Sequence, residues 1–199
     1  AGGLVGLGGY AVEAGVVPRV MTHGQTLLEP PECLERLAVA GGLRQMAVHI
    51  DMTQAGRAGY PINRLTSEVD LHPLREAFTQ LALDLRQRTG LPFELAHNCT
   101  VTERNIGSVA EVVRWFLADP RRSKIWRILS IQPEANTGRT IFSEHPVTPA
   151  IVWRELCRGI GLSLAGNASL GGHHDSTPDA STPVAELSGR YFPLLPPDT

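Results

Sequence analysis

Four short apolar runs alternate with longer stretches of helical period, and this rhythm constrains the fold more than any other feature. The runs are Arg19 to Thr22, Gln45 to Ile50, Pro92 to Val101 and Ile125 to Gln132. Neighbouring antiparallel strands can be joined by a tight turn, whereas parallel ones need a crossover of a dozen residues or more, usually a helix. The intervals here are long enough for crossovers and carry helical periodicity. They predict an α/β chain with parallel strands.

The intervals have start and stop signals of their own. Glu29-Pro30-Pro31 opens a helix with Cys33, Leu34, Leu37 and Val39 on or near its buried side, and Gly41-Gly42 ends it. Asp70 to Thr89 is the strongest helix, with Leu74, Phe78, Leu81 and Leu85 at three- and four-residue steps and Gly90 as its stop. Asn105 to Ala118 is the next, with Val109, Val112, Val113 and Phe116 inward and Asn105 as its natural N-cap. Pro146-Val147-Thr148 leads into a last helix, and Gly159 to Leu164 adds a fragment of strand. Tyr10 to Gly15 reads as the end of a helix that begins upstream, and a start at Ala1 reads as a truncated chain.

Composition narrows the class. With 199 residues, 42% of them hydrophobic and 19% charged, the chain can bury the core of one domain. A net charge of −2 argues against nucleic acid or an anionic membrane as the main partner. Cys33, Cys99 and Cys157 stand too far apart for a disulfide scaffold or zinc ribbon, which fits a reducing, cytoplasmic compartment. The uncharged opening ends at Glu13, too short and too Gly-rich for a membrane span, and has no basic segment of a secretory signal. Residues 1–165 read as the α/β unit and 166–199 as a loop-rich extension. The extension contains Gly171-Gly172-His173-His174-Asp175, a surface turn, and an apolar Tyr191 to Pro197 expected to cover part of the unit.

In parallel α/β folds the chemistry gathers at the carboxyl ends of strands. Polar residues fall there four times: Thr22, His23 and Gly24; His49 and Asp51; His97, Asn98, Cys99 and Thr100; Gln132, Glu134 and Asn136. The long loop Met52 to Val69, with Gln54, Arg57 and Tyr60, is the candidate for substrate contact. One reading has His23, His49, Asp51 and His97 gather a zinc-like ion for metal-dependent hydrolysis. Another is a non-catalytic binding module.

Met21-Thr22-His23-Gly24-Gln25-Thr26-Leu27-Leu28 resembles the third-strand T-N-G-T-L-L segment of radical S-adenosylmethionine (SAM) enzymes. Val48-His49-Ile50-Asp51 resembles their fourth-strand V-S-I-D segment, and Asn98 to Thr102 with Asn105-Ile106 their fifth strand and following turn. Ser130-Ile131-Gln132-Pro133 with Gly138-Arg139 resembles a sixth-strand Q-P…G-R feature. The segments come in family order between Tyr10 and Leu156. The resemblance implies a partial (βα) barrel of about four units, TIM-barrel-like, from an oxidoreductase that cleaves SAM reductively to a 5′-deoxyadenosyl radical. It implies SAM contacts at Thr22, His23, Gly24, His49, Asp51, Asn98, Thr100, Gln132 and Pro133. It also implies a small-molecule or peptide substrate and an electron donor such as a flavodoxin or ferredoxin. Two family features are missing: the C-x3-C-x2-C loop that holds the [4Fe–4S] cluster, and the second-strand G-G-E motif. His23 stands where the family has Asn, and His49 where it often has Ser. The chain by itself is therefore expected to be inactive.

Overall fold

The computed structural model describes residues 2–134, 147–162, 184–187 and 190–193. Helix α1 (Gly2–Glu13) precedes strand β1 (Arg19–Thr22), α2 (Glu32–Val39) and β2 (Gln45–His49). After the long loop come α3 (His72–Thr89), β3 (Glu94–Val101), α4 (Val109–Leu117), α5 (Pro120–Ile125), β4 (Trp126–Pro133) and α6 (Pro149–Gly159). Strands β5 (Val184–Leu187) and β6 (Arg190–Pro193) form a separate antiparallel pair within the stretch expected to be a loop-rich extension.

The strands β1 to β4 make one sheet in sequence order, all parallel as the crossovers require. Met46, Val48, Ile50 and Leu95 are buried in one core with Leu34 and Leu37 of α2, Phe78 and Leu85 of α3, Phe116 of α4 and Ile125 of α5. A smaller core joins Cys99 and Val101 to Val109 and to Val152 of α6. The crossovers therefore cover the same face of the sheet, because consecutive strand order with one handedness never switches sides. Among the described residues nothing covers the other face, with Met21 73% and Ile128 45% exposed. Among the described residues the outer strands β1 and β4 each pair on one side only, so the sheet does not close on itself.

The sequence placed these elements to within a few residues, with some corrections. Val39 lies in the last turn of α2 and is exposed, because Leu34, Leu37 and Ala38 already fill the buried stripe. The segment between α4 and β4 holds an unpredicted short helix, α5, started by the Asp119 side chain accepting from the Arg121 N–H, with Pro120 in the first turn. Gly159 ends α6 rather than starting a strand, and residues 163 and 164 lie outside the described ones. Helix α1 confirms the reading of Tyr10 to Gly15 as a helix end, and its glycines have a packing use. At Gly8 a Cβ would meet the Gly41 carbonyl oxygen at 2.3 Å, so only glycine lets α1 approach the end of α2.

Gly24, just past β1, has the same kind of necessity. Its φ is 73°, and a Cβ there would lie 2.9 Å from the Phe78 ring and 3.3 Å from Val48. Gly24→Ala is expected to destabilise the fold by about 1–3 kcal/mol through backbone strain and overpacking. An unchanged urea midpoint would show that the Phe78 ring yields freely.

Candidate functional site

The carboxyl ends of β1, β2 and β3 are roofed by the loop from Met52 to Val69, which is pinned along its length. Both ends of the Gln25 amide bond the Ala58 backbone, at 2.9 and 3.0 Å. The Arg104 guanidinium donates to the carbonyls of Ile62 and Leu65, both at 2.8 Å. Ser67 and Asp70 close a capping box at the loop's end. Arg104→Ala is expected to speed amide hydrogen exchange across residues 58–66 while leaving α3 protected; uniform exchange would contradict it.

Two polar clusters lie beneath this roof. The first centres on Asp51, which is 1% exposed. Its Oδ1 accepts from the Thr53 N–H at 2.8 Å and from the Thr53 hydroxyl at 2.5 Å. Its Oδ2 accepts from the Thr100 N–H at 2.8 Å and lies 2.6 Å from His49 Nε2. Burial pushes the carboxyl pKa up, but the bonds from His49, Thr53 and Thr100 outweigh it and hold the value at about 2. Asp51 is thus ionised at neutral pH and can only accept, so His49 Nε2 carries a proton and donates it. The same Nε2 is 3.2 Å from the Thr100 hydroxyl. Beside them the buried Arg57 donates to the carbonyls of His23 at 3.1 Å and His49 at 2.6 Å, and to Gln54 Oε1 at 2.7 Å, with its Nε unpartnered among the described residues.

The second cluster is completely buried. Arg75 and Glu68 face each other at 2.5 Å, both with no exposed side-chain surface. Arg75 also donates to His97 Nε2 at 3.1 Å and to the Glu68 carbonyl at 2.6 Å. Glu68 Oε1 accepts from the Met52 N–H and from Asn105 Nδ2, both at 2.8 Å. Burial, then the Arg75 charge, drives the His97 pKa well below its ordinary value, and burial with Arg75 and Arg122 brings His72 to about 4. His72 stacks on Trp115 at 4.9 Å, and Arg122 covers the same ring at 3.7 Å.

Several expected site residues meet here and others do not. His49 on β2 pairs in register with Asn98 on β3, and Asn98 with Ser130 on β4, so these lie side by side on the open face. Thr100 joins them from the same face, opposite Gln132, which is exposed and bonds the Ser130 hydroxyl at 3.0 Å. Pro133 ends β4 opposite Val101. The Thr22 hydroxyl accepts from the Gly24 N–H at 3.0 Å, and His23 is exposed. Gln54 and Arg57 are engaged with each other, and Tyr60 packs against the core. Asn136, Gly138, Arg139, His173, His174 and Asp175 lie outside the described residues.

His97 is a correction. It was expected at the accessible rim, but it sits on the helix-facing side among Phe116, Trp126 and Arg75, with no exposed surface. A guanidinium already occupies its Nε2, so His97 cannot join His23, His49 and Asp51 around an ion. Among the described residues no three His, Cys, Asp or Glu side chains gather as a metal-holding group. Asn105 is a second correction. Its side chain makes no N-cap bond but accepts from the Thr102 N–H at 2.8 Å and ties Glu68 to the Thr100 carbonyl. Sequence reasoning missed Glu68 and Arg75 altogether, although Arg75 stands inside the apolar stripe of Leu71, Leu74 and Phe78, and a charge there signals a buried partner.

No protein-family model, curated protein or solved structure matches this chain.

Proposed function

We propose that this chain is the distal wall of a radical SAM barrel, and that the open face of its sheet is the inner face of that barrel. The observation that carries the reading is the row His49, Asn98, Thr100, Ser130 and Gln132 on the face opposite the helices, at the carboxyl ends of consecutive parallel strands. His49, Asn98, Thr100 and Gln132 are the groups that would hold SAM there. The Asp51 oxygens are already bonded to Thr53, Thr100 and His49, so Asp51 acts through His49 rather than on a ligand. Gly24, packed against Phe78, fixes the turn that carries His23. When bound, SAM supplies the 5′-deoxyadenosyl group, and the partners in this reading are a small-molecule or peptide substrate and a flavodoxin- or ferredoxin-like electron donor.

The cluster does not fit the cysteines described. Cys33 lies on α2, Cys99 on the buried side of β3 and Cys157 in α6. Burial raises the Cys99 thiol well above its ordinary pKa and raises that of Cys157 as well, the opposite of what a thiolate ligand needs. The [4Fe–4S] ligands of this reading come from outside the residues described, and no chemical step is assigned through the cluster. Free thiols are in keeping with a reducing, cytoplasmic setting. Among the described residues no helix is long and apolar enough to cross a membrane.

Equilibrium dialysis of the native polypeptide with SAM tests the reading. Retained SAM, weakened about tenfold by Asn98→Ala, a loss of about 1.4 kcal/mol, is the expected result. Absence of SAM binding would overturn it.

A further inference from the structure

The His49–Asp51 pair carries more than a ligand contact. The Asp51 carboxylate is buried, ionised and filled: each oxygen has two neighbours, and the neighbour at His49 is Nε2. A neutral imidazole carries one N–H, and an acceptor-only carboxylate at 2.6 Å obliges that N–H to be at Nε2. His49 Nδ1 is then a bare lone pair, with no hydrogen-bond partner among the described residues. The side chain is 33% exposed and lies on the open face of the sheet, whereas its strand neighbours Val48 and Ile50 are fully buried on the other. The groups beside it on that face, Asn98, Thr100 and Ser130, are neutral hydrogen-bonding side chains.

We propose that His49 is a general base on this face. Its Nδ1 takes the proton of a hydroxyl or amide group on an uncharged part of a ligand, and Asp51 is the positioning residue. In the transfer the ligand's O–H or N–H bond breaks and an Nδ1–H bond forms. The bonding electron pair stays on the ligand atom, and the imidazolium remains paired with Asp51. Asp51 contributes in two ways: it excludes the tautomer that would present an N–H to the ligand, and it stabilises the positive charge that appears on transfer. The inference stands on the geometry of the pair and does not require that SAM be the ligand.

The test uses the whole chain and no ligand. Nitrogen-15 NMR of the histidine rings reads the tautomer directly, and diethyl pyrocarbonate, which acylates unprotonated imidazole nitrogens, reads the open lone pair by peptide mapping. The wild type is expected to hold the proton on Nε2 and to be acylated at His49 Nδ1. In Asp51→Asn the amide N–H can donate to Nε2, so the proton is expected to move to Nδ1 and the adduct there to be lost. His49→Gln removes the adduct while keeping a donor toward Asp51, which covers the case in which Asp51→Asn does not fold. A proton found on Nδ1 in the wild type, or an Nδ1 that resists acylation in the folded chain, would overturn the proposal. Failure of SAM to bind, with the tautomer as expected, would overturn only the SAM reading.

Discussion

Replacing Arg75 with Met is expected to cost the fold about 3–5 kcal/mol, because the Glu68 carboxylate would stay buried without its counter-charge. The figure is large beside the roughly 5–15 kcal/mol that holds a domain of this size together. Arg75 is the centre of the buried network: it pairs with Glu68, bonds His97 and the Glu68 carbonyl, and reaches the Ile50 carbonyl at 3.4 Å. Glu68 in turn fixes the start of the loop through the Met52 N–H. The double variant Glu68→Gln with Arg75→Met removes both charges and is expected to recover part of the loss, since a neutral amide costs less to bury than an unpaired carboxylate. Urea denaturation of the wild type, the single variant and the double variant measures this. A single variant within about 1 kcal/mol of the wild type would mean that Glu68 finds water or a proton at little cost.

Acidification is the second large effect, and it falls in two pH windows. His72 titrates at about 4 in the folded chain against an ordinary 6.5, and burial with the Arg75 charge holds His97 well below its ordinary value too. Below pH 6.5 the unfolded chain therefore binds protons that the folded chain refuses, and stability falls as pH drops from 6.5 toward 4. The His72 shift alone accounts for roughly 2–3 kcal/mol of that loss. Asp51, held at about 2 against an ordinary 3.8, adds a second loss as pH falls from about 4 to about 2. That term is of the order of 2 kcal/mol. Stability against urea, followed from pH 7 downward, should decline in the first window, and His72→Phe should flatten part of that decline. A flat profile between pH 7 and 4.5 would contradict the burial assigned to His72 and His97.

What the sequence disclosed and what it withheld divide along the range of the interactions. The parallel run of the strands follows from crossover lengths, and the inward residues of α3 follow from period; Leu74, Phe78, Leu81 and Leu85 are all buried. These are local patterns, written within a few turns of one helix. The network of Glu68, Arg75, His97 and Asn105 joins the loop end, α3, β3 and the turn before α4, so no single stretch shows it. Asn105 illustrates the difference: by position it reads as a helix cap, and only the folded chain brings Glu68 within 2.8 Å of its amide. For the candidate site, the strand-end rule found His49, Asp51, Asn98 and Thr100, which the sheet does bring together. The same rule placed His97 with them, because it counts strand ends and does not resolve which face a residue takes. Register alternation settles that point: His97 pairs opposite Val48 on the covered face, and Asn98 opposite His49 on the open one. The open face itself, with Met21 and Ile128 exposed, follows from the same alternation across the register and is written in no single run.

The proposal that this sheet is one wall of a radical SAM barrel is decided on the protein from its native source, purified without oxygen. Intact mass and iron and sulfide content are measured together. A polypeptide heavier than 21.5 kDa, with three closely spaced cysteines and a bound [4Fe–4S] cluster, is the expected result. A native mass of 21.5 kDa without iron would contradict it, and would leave the open face and its His49–Asp51 pair to serve another chemistry.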